Sequence, residues 1–288
     1  MMSEAASQQE ARRQSFKRGR TWIKYPFAEQ LLEDLEQLLA QPQCHRMHNL
    51  LILGETNSGK TMTMARFERR HSRRRDVAML FGDRPSTIPV LCVQTPPSAD
   101  EARFYNAILN SIGAPTKPTI QARQLHFQTV NLLRFVGCRM LIIDEIHNLL
   151  IGPSQKLRQA QAMIRFLGNE LQIPIVAVGI REAFHVFAAD PQLSNRFRAV
   201  AFPKWQMDEA FMALLLSFEA RFPDWRGVLT SSPIAARVLA LSEGVLGEIV
   251  DLICAVRTHC DRTGSALTEQ VVDACGYVSP TLRSRVSL

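Results

Sequence analysis

Three features that would define other classes of protein are missing from this sequence of 288 residues. Its six cysteines include no CxxC pair, and the spacing of Cys254, His259 and Cys260 does not match a zinc site. No segment approaches the roughly 18 consecutive apolar residues that span a bilayer. The first residues are polar and charged, which argues against a secretory signal. We therefore expect a reduced, cytoplasmic protein with no membrane partner.

Acidic residues are also in deficit, because 27 Asp and Glu face 34 Lys and Arg, for a formal net charge of +7. A basic balance favours polyanionic partners such as nucleic acid, although solubility alone would also account for it. Hydrophobic residues make up 46% of the chain, which is enough to bury the core of one large domain or two smaller ones.

Short apolar segments alternate with helical patterns over the first two thirds of the chain. They predict strands at 49–54, 88–95, 140–144, 173–179 and 199–203, and helices at 27–40, 60–71, 99–112, 121–136 and 156–171. This alternation predicts a parallel sheet with helices on both faces. After about residue 206 the strand patterns stop and only helices are expected, one of them with Ser232 as N-cap before Pro233. The fold class is therefore α/β, followed by a small all-helical domain.

A phosphate-binding loop follows the first predicted strand. The segment GETNSGKT matches GxxxxGK[ST] at Gly54, Glu55, Thr56, Asn57, Ser58, Gly59, Lys60 and Thr61. The glycines let backbone N–H groups turn inward around phosphate oxygens, and the N-terminus of the following helix adds a positive dipole. Lys60 would reach the β- and γ-phosphates, and Thr61 would ligate Mg²⁺. The motif therefore predicts ATP and Mg²⁺ as ligands.

The third predicted strand, MLIID, brings a carboxylate to its carboxyl end, where α/β sheets bind ligands. Asp144 would hold Mg²⁺ through water, and Glu145 would polarise the water that attacks the nucleotide. The alternative is that these two carboxylates only end a strand. Hydrolysis, as opposed to binding alone, depends on Glu145 in this interpretation.

Together with these motifs, further segments resemble a known family. The loop GETNSGKT, the strand end MLIIDE and the helical C-terminal region resemble an AAA+ ATPase. More specifically, the segments IKYPFAEQLLEDLEQLL, RMHNLLILGETNSGKT, MLIIDEIHNLL, IPIVAVGIREA and QLSNRFRAVAFPKW resemble the TniB/TnsC transposition-regulator ATPases of bacterial mobile elements. The resemblance extends from about residue 20 to 265. It implies a basic flexible tail at 1–20, an AAA+ P-loop core at 21–205, a helical lid at 206–275 and a C-terminal tail at 276–288.

The resemblance also implies a catalytic residue that acts between subunits. Arg196, in NRFR, matches the position of an arginine finger, which stabilises transition-state charge at the γ-phosphate of a neighbouring subunit. Arg198 is the nearby candidate. A surface salt bridge is the alternative role for Arg196. A finger of this kind requires a homo-oligomer.

Two sensor positions depart from the AAA+ pattern. The strand at 173–179 ends in Gly179 and Ile180, followed by Arg181, where AAA+ proteins usually place Asn, Thr or Ser. In the lid, Gly247 stands where a sensor-2 arginine is expected, with Glu248 beside it. We therefore expect slow intrinsic hydrolysis, which suits a switch better than a motor.

Contacts to DNA are also implied by the resemblance, because TniB/TnsC-like ATPases form helical filaments or rings around duplex DNA. The corresponding segments, 98–105 and 114–122, supply Arg103, Lys117 and Thr119. Such contacts go to phosphates, so binding would be salt-dependent and insensitive to base sequence. The basic residues of the tail region could add to this or face a protein partner; they are Arg12, Arg13, Lys17, Arg18, Arg20 and Lys24.

A separate basic cluster follows the phosphate loop at Arg66, Arg69, Arg70, Arg73, Arg74 and Arg75. At about 1.5 Å per helical residue, Arg74 lies roughly 20 Å from the loop and cannot contact the same phosphate. Solvent, an acidic protein surface and a second polyanion all remain open as its partner.

These expectations combine into one function. The protein would be an ATP-dependent regulator of transposition that oligomerises on duplex target DNA, works with a target-selector protein, hands the DNA to a transposase and disassembles on hydrolysis. It would then be associated with the bacterial nucleoid. The alternatives are an AAA+ loader or remodeller in DNA replication or repair, and an ATP-binding signalling scaffold that does not assemble on DNA.

Overall fold

The computed structural model describes residues 22–72, 87–97, 100–114, 116, 120–150 and 153–286. The chain divides into two compact units. One runs from Gln30 to Pro203, and the other combines the described residues up to Glu29 with those from Lys204 onward.

The unit from Gln30 to Pro203 contains five strands, as the sequence predicts. They are β1 (Asn49–Leu53), β2 (Val90–Gln94), β3 (Met140–Asp144), β4 (Ile175–Gly179) and β5 (Phe197–Ala201). The helices in this part of the chain are α1 (Pro26–Ala40), α2 (Lys60–His71), α3 (Glu101–Ile112), α4 (Ala122–Phe135), α5 (His147–Leu150), α6 (Ser154–Leu171), α7 (Ala183–Ala189) and α8 (Pro191–Ser194). The short helices α5, α7 and α8 are not predicted by the apolar periodicity.

All strand pairs are parallel, in the order β2-β3-β4-β1-β5. The register pairs Leu53 of β1 with Gly179 of β4, and Gln94 of β2 with Asp144 of β3. The carboxyl ends of these four strands therefore meet at one edge, which we call the carboxyl edge of the sheet. The opposite edge, where the strands begin, is the amino edge.

Burial explains why the central strands are continuous apolar segments. Every residue of β1, β3 and β4 is buried, because helices flank the sheet and cover both faces of these strands. The outer strand β5 is less buried than these strands, because three of its five residues are exposed, Arg198 among them. In α2, Met64 and Phe67 are fully buried, as their helical spacing predicts.

The second unit is helical over its described residues from Lys204, as predicted. It contains α9 (Glu209–Glu219), a 3₁₀ turn (Pro223–Trp225), α10 (Ser232–Ser242), α11 (Leu246–Thr263), α12 (Glu269–Ala274) and α13 (Pro280–Val286). Phe211, Phe218 and Trp225 are among the side chains of its core. The N-cap of α10 is Ser231 rather than Ser232, so that prediction was wrong by one residue. The Ser231 hydroxyl donates to the Val228 carbonyl instead of capping the helix.

The C-terminal segment packs on the same helical unit. The Tyr277 hydroxyl donates to Glu248 Oε2 at 2.6 Å, and the Arg283 guanidinium also contacts that carboxylate. The Thr281 amide donates to Glu243 Oε1 at 2.8 Å. Glu248, which stands beside the expected sensor-2 position, is therefore a carboxylate held by the C-terminal segment.

Candidate functional site

The phosphate-binding loop connects β1 to α2 at the carboxyl edge of the sheet. Asn57 (φ 65°) and Gly59 (φ 95°) have left-handed backbone conformations, which turn the chain sharply just before α2 begins. Gly54 is required for a different reason, since a Cβ added there would come within 2.8 Å of Phe202 Cβ. Its amide donates to the Gly179 carbonyl at 3.1 Å, so the loop is fixed to the end of β4.

Lys60 lies inside this loop and is only 6% exposed. Its ammonium donates to the Gly54 carbonyl at 2.9 Å, to the Glu55 carbonyl at 2.6 Å and to Ser58 Oγ at 3.3 Å. Burial lowers the pKa of Lys60, and the nearby carboxylates of Glu145, Asp144 and Glu55 oppose this shift. A buried ammonium at a helix N-terminus suits a bound phosphate. Burial removes the water that would stabilise its positive charge, and the negative charge of the phosphate would stabilise it instead.

Thr61 and Asp144 join the loop to β3, although they are 83 residues apart in sequence. The Thr61 hydroxyl donates to Asp144 Oδ2 at 2.7 Å, and Asp144 Oδ1 accepts from the Glu145 amide at 2.8 Å. Asp144 is 3% exposed. A hydroxyl and a carboxylate in contact form a hard oxygen pair of the type that Mg²⁺ binds, directly or through water.

Glu145 follows β3 in a backbone conformation that L residues rarely adopt, with φ 55°. Such a conformation costs about 1–3 kcal/mol and persists only where the surroundings impose it. Here the Glu145 carbonyl accepts from Thr95 Oγ1 at 2.5 Å and from the Asn148 amide at 2.9 Å. Its carboxylate lies 3.2 Å from His147 Nε2.

The end of β4 faces the same loop. Gly179 carries no side chain at the position where AAA+ proteins usually have a polar sensor residue, and Arg181 lies two residues further on. The Arg181 guanidinium is 3.5 Å from the Glu55 carboxylate, with both side chains largely exposed. Arg181 therefore lies close to the loop after the end of β4, but its ion pair with Glu55 is largely exposed to solvent.

Arg196 and Arg198 lie at the opposite, amino edge. Arg196 Nη1 donates to Asn169 Oδ1 at 2.6 Å, and Arg198 Nη2 donates to Asp34 Oδ2 at 2.6 Å. The Arg196 carbonyl accepts from the Asn49 amide at the start of β1. At about 3.3 Å per strand residue, Arg196 is roughly 16 Å from the loop at the other end of β1. It therefore cannot act on a nucleotide in its own loop.

The two arginines line a cavity of about 420 Å³ at this amino edge. Its wall also includes Asp34, His48 and Asn195. Charged and polar side chains therefore form much of the wall of this cavity.

Of the predicted DNA contacts, only Arg103 falls within the described residues. It is exposed in the first turn of α3, where the Asp100 carboxylate caps the helix by accepting from the Arg103 amide at 2.8 Å. Lys117 and Thr119 lie outside the described residues, as do Arg73, Arg74 and Arg75 and the tail residues from Arg12 to Arg20.

The described part of the arginine cluster lies in the last turns of α2. Arg69 Nε donates to the Ala65 carbonyl of its own helix at 3.0 Å. His71, at the end of the helix, pairs with Glu36 of α1 through Nε2 and Oε1 at 3.0 Å. This end of α2 is remote from Lys60, as the sequence predicts.

Comparison with known families settles the relationship of this sequence. Residues 13–207, about two thirds of the chain, match the family described as bacterial TniB protein. The chain belongs to the TniB family. No curated protein gives a significant match.

Solved structures show that this TniB-family chain has the AAA+ fold. It is similar to Aeropyrum pernix ORC1 in complex with DNA, with a TM-score of 0.60 and 19% identity over 95% of this chain and 69% of that one. The ADP form of Aeropyrum pernix ORC2 gives a TM-score of 0.63 and 15% identity over 91% and 71% of the two chains. Domain III of Thermotoga maritima DnaA gives 0.50 and 13% identity over 88% and 93%.

Metal clusters and membrane spans are both missing from the described part of this TniB-family chain. In those residues, no group of three or more His, Cys, Asp and Glu side chains could hold a metal ion. Among the same residues, no helix is both long and apolar enough to cross a membrane.

His147 is the site residue that sequence reasoning missed in this TniB-family protein. A single histidine in DEIHNLL matches no ligand spacing, and its contact with Glu145 depends on a turn that the apolar pattern does not show. The only signal in the sequence was its position two residues after Glu145.

Proposed function

We propose that this TniB-family protein is an ATP-dependent, DNA-binding regulator of transposition. Its subunits assemble on duplex DNA, present that DNA to a transposase in concert with a target selector, and come apart when ATP is hydrolysed. The observation that carries the proposal is the junction of Lys60, Thr61 and Asp144, which unites a phosphate loop with a carboxylate from β3. Family membership supplies the link to transposition.

The residues of the loop would bind the nucleotide. Lys60 would turn its ammonium from the loop carbonyls to the nucleotide phosphates. Thr61 and Asp144 would hold Mg²⁺, which supplies positive charge to neutralise the phosphates when it is bound.

Glu145 is the proposed general base. Its side chain is 34% exposed and directly follows the buried Asp144, so it can reach a water molecule beside the nucleotide. Accepting a proton from that water would make hydrolysis possible, a contribution typically worth about 10²–10⁴-fold in rate.

Arg196 would complete the site of a neighbouring subunit. It lies at the amino edge, roughly 16 Å from its own loop along β1. An arginine that is partly exposed, remote from its own nucleotide and placed in the wall of a cavity is suited to contact a second copy of the chain. Hydrolysis would then depend on assembly, and assembly on ATP.

DNA binding is proposed for Arg103, Lys117 and Thr119. Arg103 is exposed in the first turn of α3. Aeropyrum pernix ORC1 and Drosophila ORC, both of the same fold, were solved with DNA. We propose that duplex DNA is bound through its phosphates, without base-sequence preference, which fits a chain with net charge +7.

A second candidate is an AAA+ loader or remodeller in replication. The similarity to domain III of a replication initiation protein favours it. It would share every nucleotide-binding residue with the first candidate. The TniB family match favours the transposition role over it.

Electron microscopy of the protein with duplex DNA tests the proposal. With a non-hydrolysable ATP analogue we expect filaments or rings on DNA, and with ADP or with the Lys60→Ala variant we expect none. Addition of ATP to the wild type should shorten the assemblies as hydrolysis proceeds. Absence of DNA-dependent assembly in every nucleotide state would instead support an ATP-binding scaffold. Binding of the assemblies to a transposase, but not to a replicative helicase, separates the first candidate from the second.

A further inference from the structure

We propose that His147 is a positioning residue that orients the carboxylate of Glu145 for ATP hydrolysis, in a turn that packs against Gly179. The inference rests on the proposed ATPase function and deepens it, because it identifies what replaces the sensor residue expected at the end of β4.

Hydrogen bonds fix the backbone of Glu145, but they do not set the orientation of its carboxylate. Thr95 Oγ1 and the Asn148 amide both donate to the Glu145 carbonyl, while the side chain continues beyond Cα with free torsions. His147 Nε2 is 3.2 Å from Oε2 and is the contact that restricts this carboxylate. A general base must lie within hydrogen-bond reach of its water, so its orientation affects the rate directly.

The imidazole is itself held in place by packing. Its side chain is only 17% exposed. A Cβ added to Gly179 would lie 2.8 Å from Ile146 Cγ2 and 3.6 Å from both the amide nitrogen and Nδ1 of His147. The Ile146 amide donates to the Val178 carbonyl at 2.8 Å, which fixes the turn against β4. A side chain at position 179 would therefore displace Ile146, the residue that precedes His147 in this turn.

The other ring nitrogen argues against a purely structural role. Where Nε2 carries the ring proton, Nδ1 is left as an acceptor. Nδ1 is buried and has no hydrogen-bond partner within the described part of the chain. Leaving a buried acceptor unpaired is unfavourable for folding. Within the described residues, the polar contact of this ring is that of Nε2 with Glu145 Oε2.

The chain offers a matched control in a second histidine–glutamate pair. His71 Nε2 and Glu36 Oε1 are 3.0 Å apart, at the far end of α2 from Lys60. This pair joins the same two types of side chain at a similar nitrogen–oxygen distance, but it lies away from the nucleotide loop. The general effect of removing a histidine–carboxylate pair can therefore be separated from the specific effect of removing His147.

The kinetic test compares His147→Ala, His147→Gln and His71→Ala with the wild type. We expect His147→Ala to lower kcat about 10- to 100-fold, the usual effect of misplacing a catalytic group by about 1 Å. The ATP Kd should be unchanged, since His147 does not contact the loop. His147→Gln should recover most of kcat, because its amide N–H can donate from nearly the same point as Nε2. His71→Ala should behave as the wild type.

A double variant tests whether His147 acts through Glu145. In a Glu145→Gln background, adding His147→Ala should not lower the residual single-turnover rate further, because the group that His147 orients is already disabled. An additive loss would overturn the inference, since His147 would then act on its own.

Nitrogen NMR of the nucleotide-free protein gives a readout that does not depend on turnover. With ¹⁵N-labelled histidine, we expect one ring with Nε2 protonated and Nδ1 bare, whose Nε2 resonance shifts in Glu145→Ala while that of His71 does not. An unshifted Nε2 resonance, or a kcat of His147→Ala equal to or above that of an active wild type, overturns the inference alone. A wild type that hydrolyses no ATP, with or without duplex DNA, overturns the proposed hydrolysis and this inference with it.

Discussion

The two edges of the sheet are built in opposite ways. At the carboxyl edge the polar groups are buried and already joined: Lys60 is 6% exposed, Asp144 is 3% exposed, and Thr61 bridges the loop to β3 at 2.7 Å. At the amino edge, Arg198 is 64% exposed and pairs with Asp34, and Arg196 contacts an asparagine in an exposed hydrogen bond.

The difference separates a site formed within one chain from the edge where we propose that a neighbouring subunit binds. The carboxyl edge has Asn57, Gly59 and Glu145 in left-handed conformations, a backbone cost that a preorganised site can carry. Left-handed residues at the amino edge, Gly137 (φ 64°) and Gln172 (φ 51°), lie in the turns that lead into β3 and β4. We infer that nucleotide binding is a property of one subunit and that rapid hydrolysis is a property of the assembly.

The largest expected effect is at the amino edge. Arg196→Ala should lower assembly-stimulated turnover by about 10³- to 10⁵-fold, the range over which arginine fingers act, because transition-state charge would lose its partner in the next subunit. Steady-state ATPase assays with and without duplex DNA measure it. Nucleotide binding by the isolated subunit should not change. Arg198→Ala is the matched control, and a greater loss from it than from Arg196→Ala would exchange their roles.

The next effect is at the carboxyl edge. Glu145→Gln should lower turnover about 10²- to 10⁴-fold and leave ATP binding intact, because the amide cannot accept the proton of the attacking water. It should also stabilise assemblies on DNA, which microscopy would show as longer filaments. Turnover equal to the wild type would exclude Glu145 as the base.

A smaller effect is expected at the proposed DNA-binding residues. Charge reversal of Arg103 and Lys117 together should weaken binding to duplex DNA. The slope of log affinity against log salt should fall by about one for each phosphate that the variant no longer neutralises. Fluorescence anisotropy over a salt series measures both quantities. Binding that does not change would point to the arginine cluster or to the tail.

The smallest effect concerns the pair that fastens β5 to α1. The hydrogen bond from Arg198 holds the pKa of Asp34 below its ordinary value, against a smaller opposing effect of burial. Because the folded pKa is lowered, this stabilisation is present above the unfolded pKa of about 4 and is lost as pH falls through the folded value. Asp34→Asn should cost about 0–1 kcal/mol at pH 7.

Urea denaturation at neutral and acidic pH checks this prediction. The difference between Asp34→Asn and the wild type should shrink as pH falls below about 4. A difference that grows on acidification would contradict the sign of the shift.

Much of this fold could be predicted from local patterns. The central strands were found because burial on both faces makes them continuous apolar segments. β4 begins at Ile175 rather than residue 173, since Pro174 has no N–H to donate to a sheet. β5 spans Phe197–Ala201 rather than 199–203, because an outer strand with Arg198 exposed has no continuous apolar pattern.

The nucleotide loop could be predicted because its residues are consecutive in the sequence. Its proximity to Asp144 could be predicted from the rule that ligands bind at the carboxyl edge of a parallel sheet. The contact of His147 with Glu145 could not be predicted from the sequence. This contact depends on a left-handed residue at 145 and on a glycine that another strand contributes. The sequence pattern gives no distance between such groups.

Subunit mixing tests the central claim most directly, that one subunit binds the nucleotide and its neighbour supplies the arginine. Glu145→Gln and Arg196→Ala should each be inactive alone on duplex DNA. Mixed in equal amounts, they should recover up to about a quarter of wild-type turnover, because in head-to-tail contacts one neighbour pair in four unites an intact Glu145 with an intact Arg196. A mixture no more active than its components, although both variants assemble on DNA together, would contradict the account.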